Sequence, residues 1–300
     1  MTRALLIANP AAARTDQVAL EVIRRTLVAG GWRVEVLATS GPGDARRLAE
    51  YGVRERVDVV GVFGGDGTTM QAAAALVGTD VSLGILPGGT GNLLAGNLRI
   101  PLPPARAAES LLRSRPRRLD LGRMERPDGT HYFAVACGAG YDALVMGETA
   151  AEDKRRWGIG AYIATSLRLM NQLKNASHVI TVDGVEYEAE ASMVLVANCN
   201  ELIPPLVKLG HGISPDDGYL DVIVVRAENF TQSVRVLWEV MRETDPTKRS
   251  EFVRYARARE IRIEATPIQP VQLDGEAGGV TPFTARVVPG ALLVMAPPIS

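Results

Sequence analysis

The chain has 300 residues, 46% apolar and 22% charged, with a formal net charge of −1. That length suits about two well-buried domains, and a balanced charge argues against nucleic acid as a partner. Its two cysteines, Cys137 and Cys199, make neither a disulfide framework nor a CxxC metal pair, which fits a reducing compartment such as the cytoplasm. No apolar run of about 18 residues or more occurs, so nothing is predicted to span a membrane, and a membrane substrate would be met from the surface.

Ala4–Ala8 reads as a first strand closed by Asn9-Pro10; the run is too short for the apolar core of a secretory signal. Asp16–Val28 carries Val18, Val22, Ile23 and Leu27 at helical spacing, and Gly30-Gly31 stops it. Trp32–Ala38 alternates as a second strand, and Asp44–Tyr51 predicts a second helix. Val57–Phe63 is nearly continuous in apolar residues, as a buried parallel strand should be. Gly64-Gly65-Asp66-Gly67 then opens an alanine-rich helix to Val77. Val81–Leu86 is a further strand, followed by Pro87-Gly88-Gly89-Thr90-Gly91-Asn92 and another helix start. This βαβα order predicts an α/β N-terminal domain over residues 1–123, with a parallel, Rossmann-like sheet.

From about Arg123 the pattern becomes β-rich, and residues 124–289 are read as a second domain. Short strand-like runs occur at Tyr132–Cys137, Val179–Val182, Met193–Ala197, Leu220–Val225, Ile261–Glu264 and Val271–Leu273. Turn residues separate them, among them Asp183-Gly184 and Asp217-Gly218. Two helices are predicted within this region, Asp153–Lys174 and Thr231–Arg242.

In open α/β sheets, ligands sit at the carboxyl ends of the strands. That rule gathers Asn9-Pro10, Thr39 to Asp44, Gly64 to Thr68 and Gly88 to Asn92 along one crevice. Two of these segments are glycine-rich and open directly into helices. Glycines let backbone approach an anion closely, and the open N–H groups of a helix start donate to phosphate oxygens. Thr39, Thr68 and Thr90 add hydroxyls, and Asp66 can bind magnesium or accept a proton. The four lysines all lie beyond residue 150, so neither loop carries the lysine of a Walker-type phosphate loop. Nor does G-x-G-x-x-G follow the first strand, which disfavours a dinucleotide-binding Rossmann enzyme.

Phe63-Gly64-Gly65-Asp66-Gly67-Thr68 resembles the GGDGT signature of the diacylglycerol kinase catalytic-domain family, which includes sphingosine kinases and bacterial soluble lipid kinases. NAD kinases and phosphofructokinases share a related loop, so this signature alone reaches only the superfamily. The match continues in the family's order. Thr39 with Gly43-Asp44-Ala45 resembles its T…GDA element, and Leu86 through Leu98 its PxGTxN element. Gly140-Tyr141-Asp142-Ala143 is similar to its GFDA-like segment. Pro215 through Val222 resembles DDGxLDV, and Leu273-Asp274-Gly275-Glu276 resembles LDGE.

The resemblance implies a nucleotide-binding N-terminal domain and a C-terminal β-sandwich, with residues 290–300 returning to the first domain. It implies a magnesium-dependent kinase that moves a phosphoryl group from ATP to a lipid hydroxyl. Asn9, Thr39, Gly64, Gly65, Asp66, Gly67, Thr68, Thr69, Met70, Thr90, Gly91 and Asn92 would line the nucleotide site. Asp66 would act on magnesium and the phosphates. Glu276 would be the general base, and Asp217 with main-chain oxygens of Ser214 and Tyr219 would hold a structural magnesium. The partner would be a lipid at the membrane surface, met by a cytoplasmic, peripheral enzyme; a homodimer is compatible with this reading. An NAD kinase-like enzyme on a soluble substrate and a regulatory protein with weak catalysis remain alternatives.

Met70 and Gln71 stand where the family usually has Asn or His and then Glu, which points to altered nucleotide preference or weak activity. The predicted Asp153–Lys174 helix, which opens on Lys154-Arg155-Arg156-Trp157, reads first as core-facing and second as membrane-touching. Arg113, Arg115, Arg117 and Arg118 form a basic run of solvated type. The three histidines lack ligand spacing, and both cysteines read as inert buried thiols.

Overall fold

The computed structural model describes residues 1–141, 143, 175–204, 207–209, 212–227, 232 and 252–298. The predicted helices Asp153–Lys174 and Thr231–Arg242 lie outside the described residues. The chain divides into two compact units, Met1–Leu119 with Gly290–Ser300, and Asp120–Pro289.

The first unit alternates strand and helix: β1 (Arg3–Ala8), α1 (Gln17–Ala29), β2 (Arg33–Ala38), α2 (Asp44–Arg54), β3 (Val59–Gly64), α3 (Asp66–Leu76), β4 (Ser82–Pro87), α4 (Leu93–Asn97) and α5 (Pro104–Arg113). Its sheet is parallel in the order β2-β1-β3-β4, and Val294 extends it beside Leu83 of β4. Every residue of β3 and β4 is buried, which explains their unbroken apolar sequence. The edge strand β2 alternates instead. Ala72 and Ala73 of α3 are fully buried, small enough to let that helix pack closely.

The second unit begins with β5 (Arg115–Arg126, entering it at Asp120), β6 (Gly129–Phe133) and β7 (Ala136–Gly140). There follow β8 (Ala176–Val182), β9 (Val185–Ala191), β10 (Met193–Ala197), β11 (Glu201–Ile203), β12 (Val207–Lys208) and β13 (Leu220–Val225). The last strands are β14 (Val253–Ala258), β15 (Glu260–Thr266), β16 (Pro270–Leu273), β17 (Glu276–Val280) and β18 (Phe283–Ala296). One antiparallel sheet runs β14-β13-β10-β7-β16-β17. The opening residues of β18 pair with β15, which pairs with β8, which pairs with β9, also antiparallel. A core of Met124, Phe133, Ile180, Ile261, Ile263 and Phe283 from this layer meets Cys137, Val194, Val196, Leu220, Val222 and Val271 from the other, which makes a β-sandwich. Gly122 is required here, because a Cβ on it would lie 1.9 Å from the Phe133 ring.

The sequence predicts one strand over Tyr132–Cys137, and the structure breaks it at Ala134-Val135. The break has a polar cause. The N–H groups of Ala134, Val135 and Ala136 turn to the carboxylate of Asp274 instead of a strand ladder. The Ala134 carbonyl accepts from the Asn198 side chain at 2.8 Å.

Candidate functional site

In the first unit, the carboxyl ends of β1, β3 and β4 are laced together by backbone. The Asn9 N–H donates to Phe63 O at 2.9 Å, Gly88 N–H to Gly64 O at 2.8 Å, and Arg14 N–H to Gly88 O at 2.9 Å. The two glycine loops touch. A Cβ on Gly89 would lie 2.6 Å from the Gly65 Cα, and a Cβ on Gly91 2.8 Å from Asp66 Oδ2. The first contact is backbone against backbone, so Gly89 has to be glycine for the loops to abut; at Gly91 the Asp66 carboxylate would have to move aside.

Side chains fix what the backbone brings close. Asp66, on the first turn of α3, accepts the Leu93 N–H through Oδ1 at 2.6 Å, which ties one loop to the helix that follows the other. Asn92 adopts the left-handed conformation (φ 52°) and closes its own loop, Oδ1 accepting from Gly89 N and Nδ2 donating to Gly89 O. Asn9 Nδ2 donates to Thr68 Oγ1 at 2.8 Å. Thr69 turns its hydroxyl back to Gly65 O at 3.0 Å, a bond within the helix start. Thr39 directly follows β2, its N–H on Ala8 O at 2.9 Å. The structure therefore assembles Asn9, Gly64 to Thr69 and Gly88 to Asn92 at one crest, with Thr39 at the end of the neighbouring strand. Thr90 and Met70 are half-buried there. The first-turn N–H groups of α3 have no acceptor within their own helix by position, and its dipole favours negative charge at that end. This cradle fits phosphate, and Asp66 fits a divalent cation on that phosphate.

Gln71 has a definite role. Its Oε1 accepts the N–H of Gly43, a glycine at φ 83° that starts α2, at 3.1 Å. A glutamate at this position could accept the same bond. In the same loop, the Ser40 hydroxyl and N–H and then Arg47 hold the half-buried Asp44 carboxyl down to about 2.

The second unit carries the other expected residues. Asp217 accepts the Tyr219 N–H at 3.0 Å, and its other oxygen lies 3.5 Å from Arg257 Nη2. That arginine also bonds Asp221 (Nε to Oδ1, 3.2 Å) and the Gly212 carbonyl, and sits over the Tyr219 ring. Burial pushes the Asp221 carboxyl up, against the pull of Arg257. The Ser214 hydroxyl donates to Asp216. A cation on Asp217 would thus share that carboxylate with a guanidinium already gathering the loop. No group of three or more His, Cys, Asp and Glu that could hold a metal occurs among the described residues.

Glu276 is exposed at the first position of β17, after a turn in which Asp274 (φ 46°) and Gly275 (φ 82°) are both left-handed. Asp274 is buried. Its Oδ1 accepts from Val135 and Ala136 N–H at 2.8 and 3.0 Å, and its Oδ2 from Ala134 N–H at 2.7 Å. Burial raises its carboxyl to about 6 in spite of those bonds. The same burial, aided by the Asp274 charge, pushes the Cys137 thiol well up, so that thiol is inert. Asp120 is a second buried acid that sequence reading passes over. It accepts the Gly218 N–H at 2.7 Å and anchors the Asp217 loop. Its only signal is an acid between two leucines of an apolar run, Leu119 and Leu121.

The diacylglycerol kinase catalytic domain profile matches residues 3–124, and that of the YegS C-terminal NAD kinase beta sandwich-like domain matches residues 135–296. A protein of Chromohalobacter salexigens named "Probable lipid kinase YegS-like" is 31% identical over 97% of this chain and 92% of its own length. The chain belongs to the diacylglycerol kinase catalytic-domain family. A diacylglycerol kinase of Mycobacterium tuberculosis is 30% identical over 85% of this chain and 82% of its own. The crystal structure of a diacylglycerol kinase from Bacillus anthracis superposes with a TM-score of 0.76 over 99% of this chain and 97% of that one, at 24% identity, and shows the fold.

Proposed function

We propose that this protein is a lipid kinase that moves the γ-phosphoryl group of ATP to a lipid hydroxyl. The abutting glycine loops of the first unit, locked by Asp66 and Asn92, carry the reading. Phosphoryl transfer needs positioning and charge neutralisation more than covalent chemistry, and a rigid crest of backbone donors supplies both. The starts of α3 and the Gly88–Asn92 loop bind the phosphates, and Thr68 and Thr90 offer hydroxyls. Asp66 holds magnesium, which neutralises charge on the phosphates when bound. Glu276, exposed and on a strand, takes the proton of the acceptor hydroxyl.

The acceptor is a diacylglycerol-like or sphingoid-like lipid, met at the membrane surface by a cytoplasmic, peripheral enzyme. No helix among the described residues is long and apolar enough to cross a membrane. The names of the relatives support a lipid acceptor over NAD.

The test is transfer from labelled ATP with magnesium to diacylglycerol and sphingosine in mixed micelles, with NAD as a soluble control. A labelled lipid establishes the reading. Label in NADP alone overturns it in favour of a soluble acceptor.

A further inference from the structure

Glu276 is exposed, yet the turn that delivers it is among the most tightly specified pieces of the second unit. Both turn residues are left-handed, a conformation that a short polar residue and a glycine tolerate. The Gly275 N–H is held by the buried Gln272 side chain at 3.0 Å. The Asp274 N–H donates to Ala136 O at 2.9 Å. Above all, one buried carboxylate takes three successive amides, those of Ala134, Val135 and Ala136. These amides lead into β7, which Ala136 opens and which neighbours β16. A hairpin turn is ordinarily held by its own two strands. This one is also pinned to a third.

Burying a carboxylate is unfavourable, and a turn needs no such device merely to close. We propose that Asp274 is the positioning residue for Glu276: its three-amide anchor on the start of β7 fixes the point from which the base leaves the turn. The inference rests on the reading of Glu276 as general base. Asp274 itself touches neither acceptor nor nucleotide; it acts through Glu276.

Loss of the anchor therefore lowers turnover without loosening the nucleotide. In Asp274→Asn the amide oxygen keeps two of the three bonds and the NH2 group meets the third N–H, so about a tenfold fall in kcat is expected. Asp274→Ala keeps none and falls about a hundredfold. KM for ATP stays within about twofold in both. A double-mutant cycle with Glu276→Gln decides the matter: Asp274→Asn has no further effect once the base is gone. Full additivity in the cycle, or equal loss in kcat and ATP affinity, overturns the positioning role. If Asp274→Asn does not fold, Gly275→Ala bends the same turn with the carboxylate intact and is expected to show the same split between kcat and KM. The two readings fail separately. Near-normal turnover by Glu276→Gln removes the base itself, whereas a dead Glu276→Gln beside a fully active Asp274→Asn removes only the positioning.

Discussion

Asp66 and Asp274 are both acids in left-to-right order before a glycine, but their surroundings assign them opposite tasks. Asp66 is partly exposed at a helix start, with one oxygen on the Leu93 N–H and the other beside Gly91. Asp66→Asn should keep the loop bond and lower magnesium-supported turnover at least about a hundredfold, with the fold intact. A magnesium titration of rate, set beside a thermal melt, checks this; an unchanged magnesium requirement removes the role. Asp274 is buried, and its carboxyl is raised from an ordinary 3.8 to about 6. A raised folded-state value means that the native protein binds the proton more tightly than the unfolded chain. The stabilisation is thus complete below about pH 4 and is lost as pH rises through about 6. Urea unfolding of wild type and Asp274→Asn at about pH 4 and about pH 7 should show wild type losing more stability over that interval than the variant. Gln71 is the third instructive residue. Gln71→Ala leaves the Gly43 N–H without its acceptor and should cost about 1 kcal/mol in chemical unfolding.

Among the elements, the two glycine loops stand or fall together. Gly89→Ala would push a methyl group to 2.6 Å from the Gly65 Cα, backbone against backbone, so the loops must part. We expect a loss of about 1–3 kcal/mol in stability and at least about tenfold in nucleotide affinity, measured by calorimetry. The loop from Gly212 to Asp221 behaves differently, since Arg257 already supplies a positive charge to Asp217 and Asp221. Chelation of magnesium should shift the melting temperature little in wild type, and more in Arg257→Ala, if the guanidinium and the ion compete for Asp217. Much of this was legible in the sequence. The unbroken apolar runs of β3 and β4, the alternation of β2 and the paired glycine loops lie in the order of residues, and so does the β-sandwich once the family resemblance is admitted. Other parts were hidden for physical reasons. The basic run Arg113 to Arg118 reads as solvated, and Arg113, Arg115 and Arg118 are indeed exposed, but its charge pattern does not announce that it opens the long strand β5. The break at Ala134 depends on Asp274, an acid 140 residues away whose burial no local pattern announces. The base candidate Glu276 is legible by motif, but the three amides behind it are not.

In the whole molecule the chain visits its first unit twice, as Met1–Leu119 and again as Gly290–Ser300. The second visit is structural: Leu292 and Val294 are fully buried, and the Gly78 N–H donates to Ala291 O at 3.0 Å. Val294→Asp would place an unpaired charge in that core beside Leu83 and should cost more than about 3 kcal/mol, with loss of nucleotide binding, as a melt with and without ATP would show. The order of synthesis gives this arrangement a consequence in the cell. The glycine loops leave the ribosome early, but the strand that completes their unit follows only after the entire second unit has been made. A nascent chain therefore holds its two glycine loops on an unfinished core until residues 290–296 have followed the whole second unit.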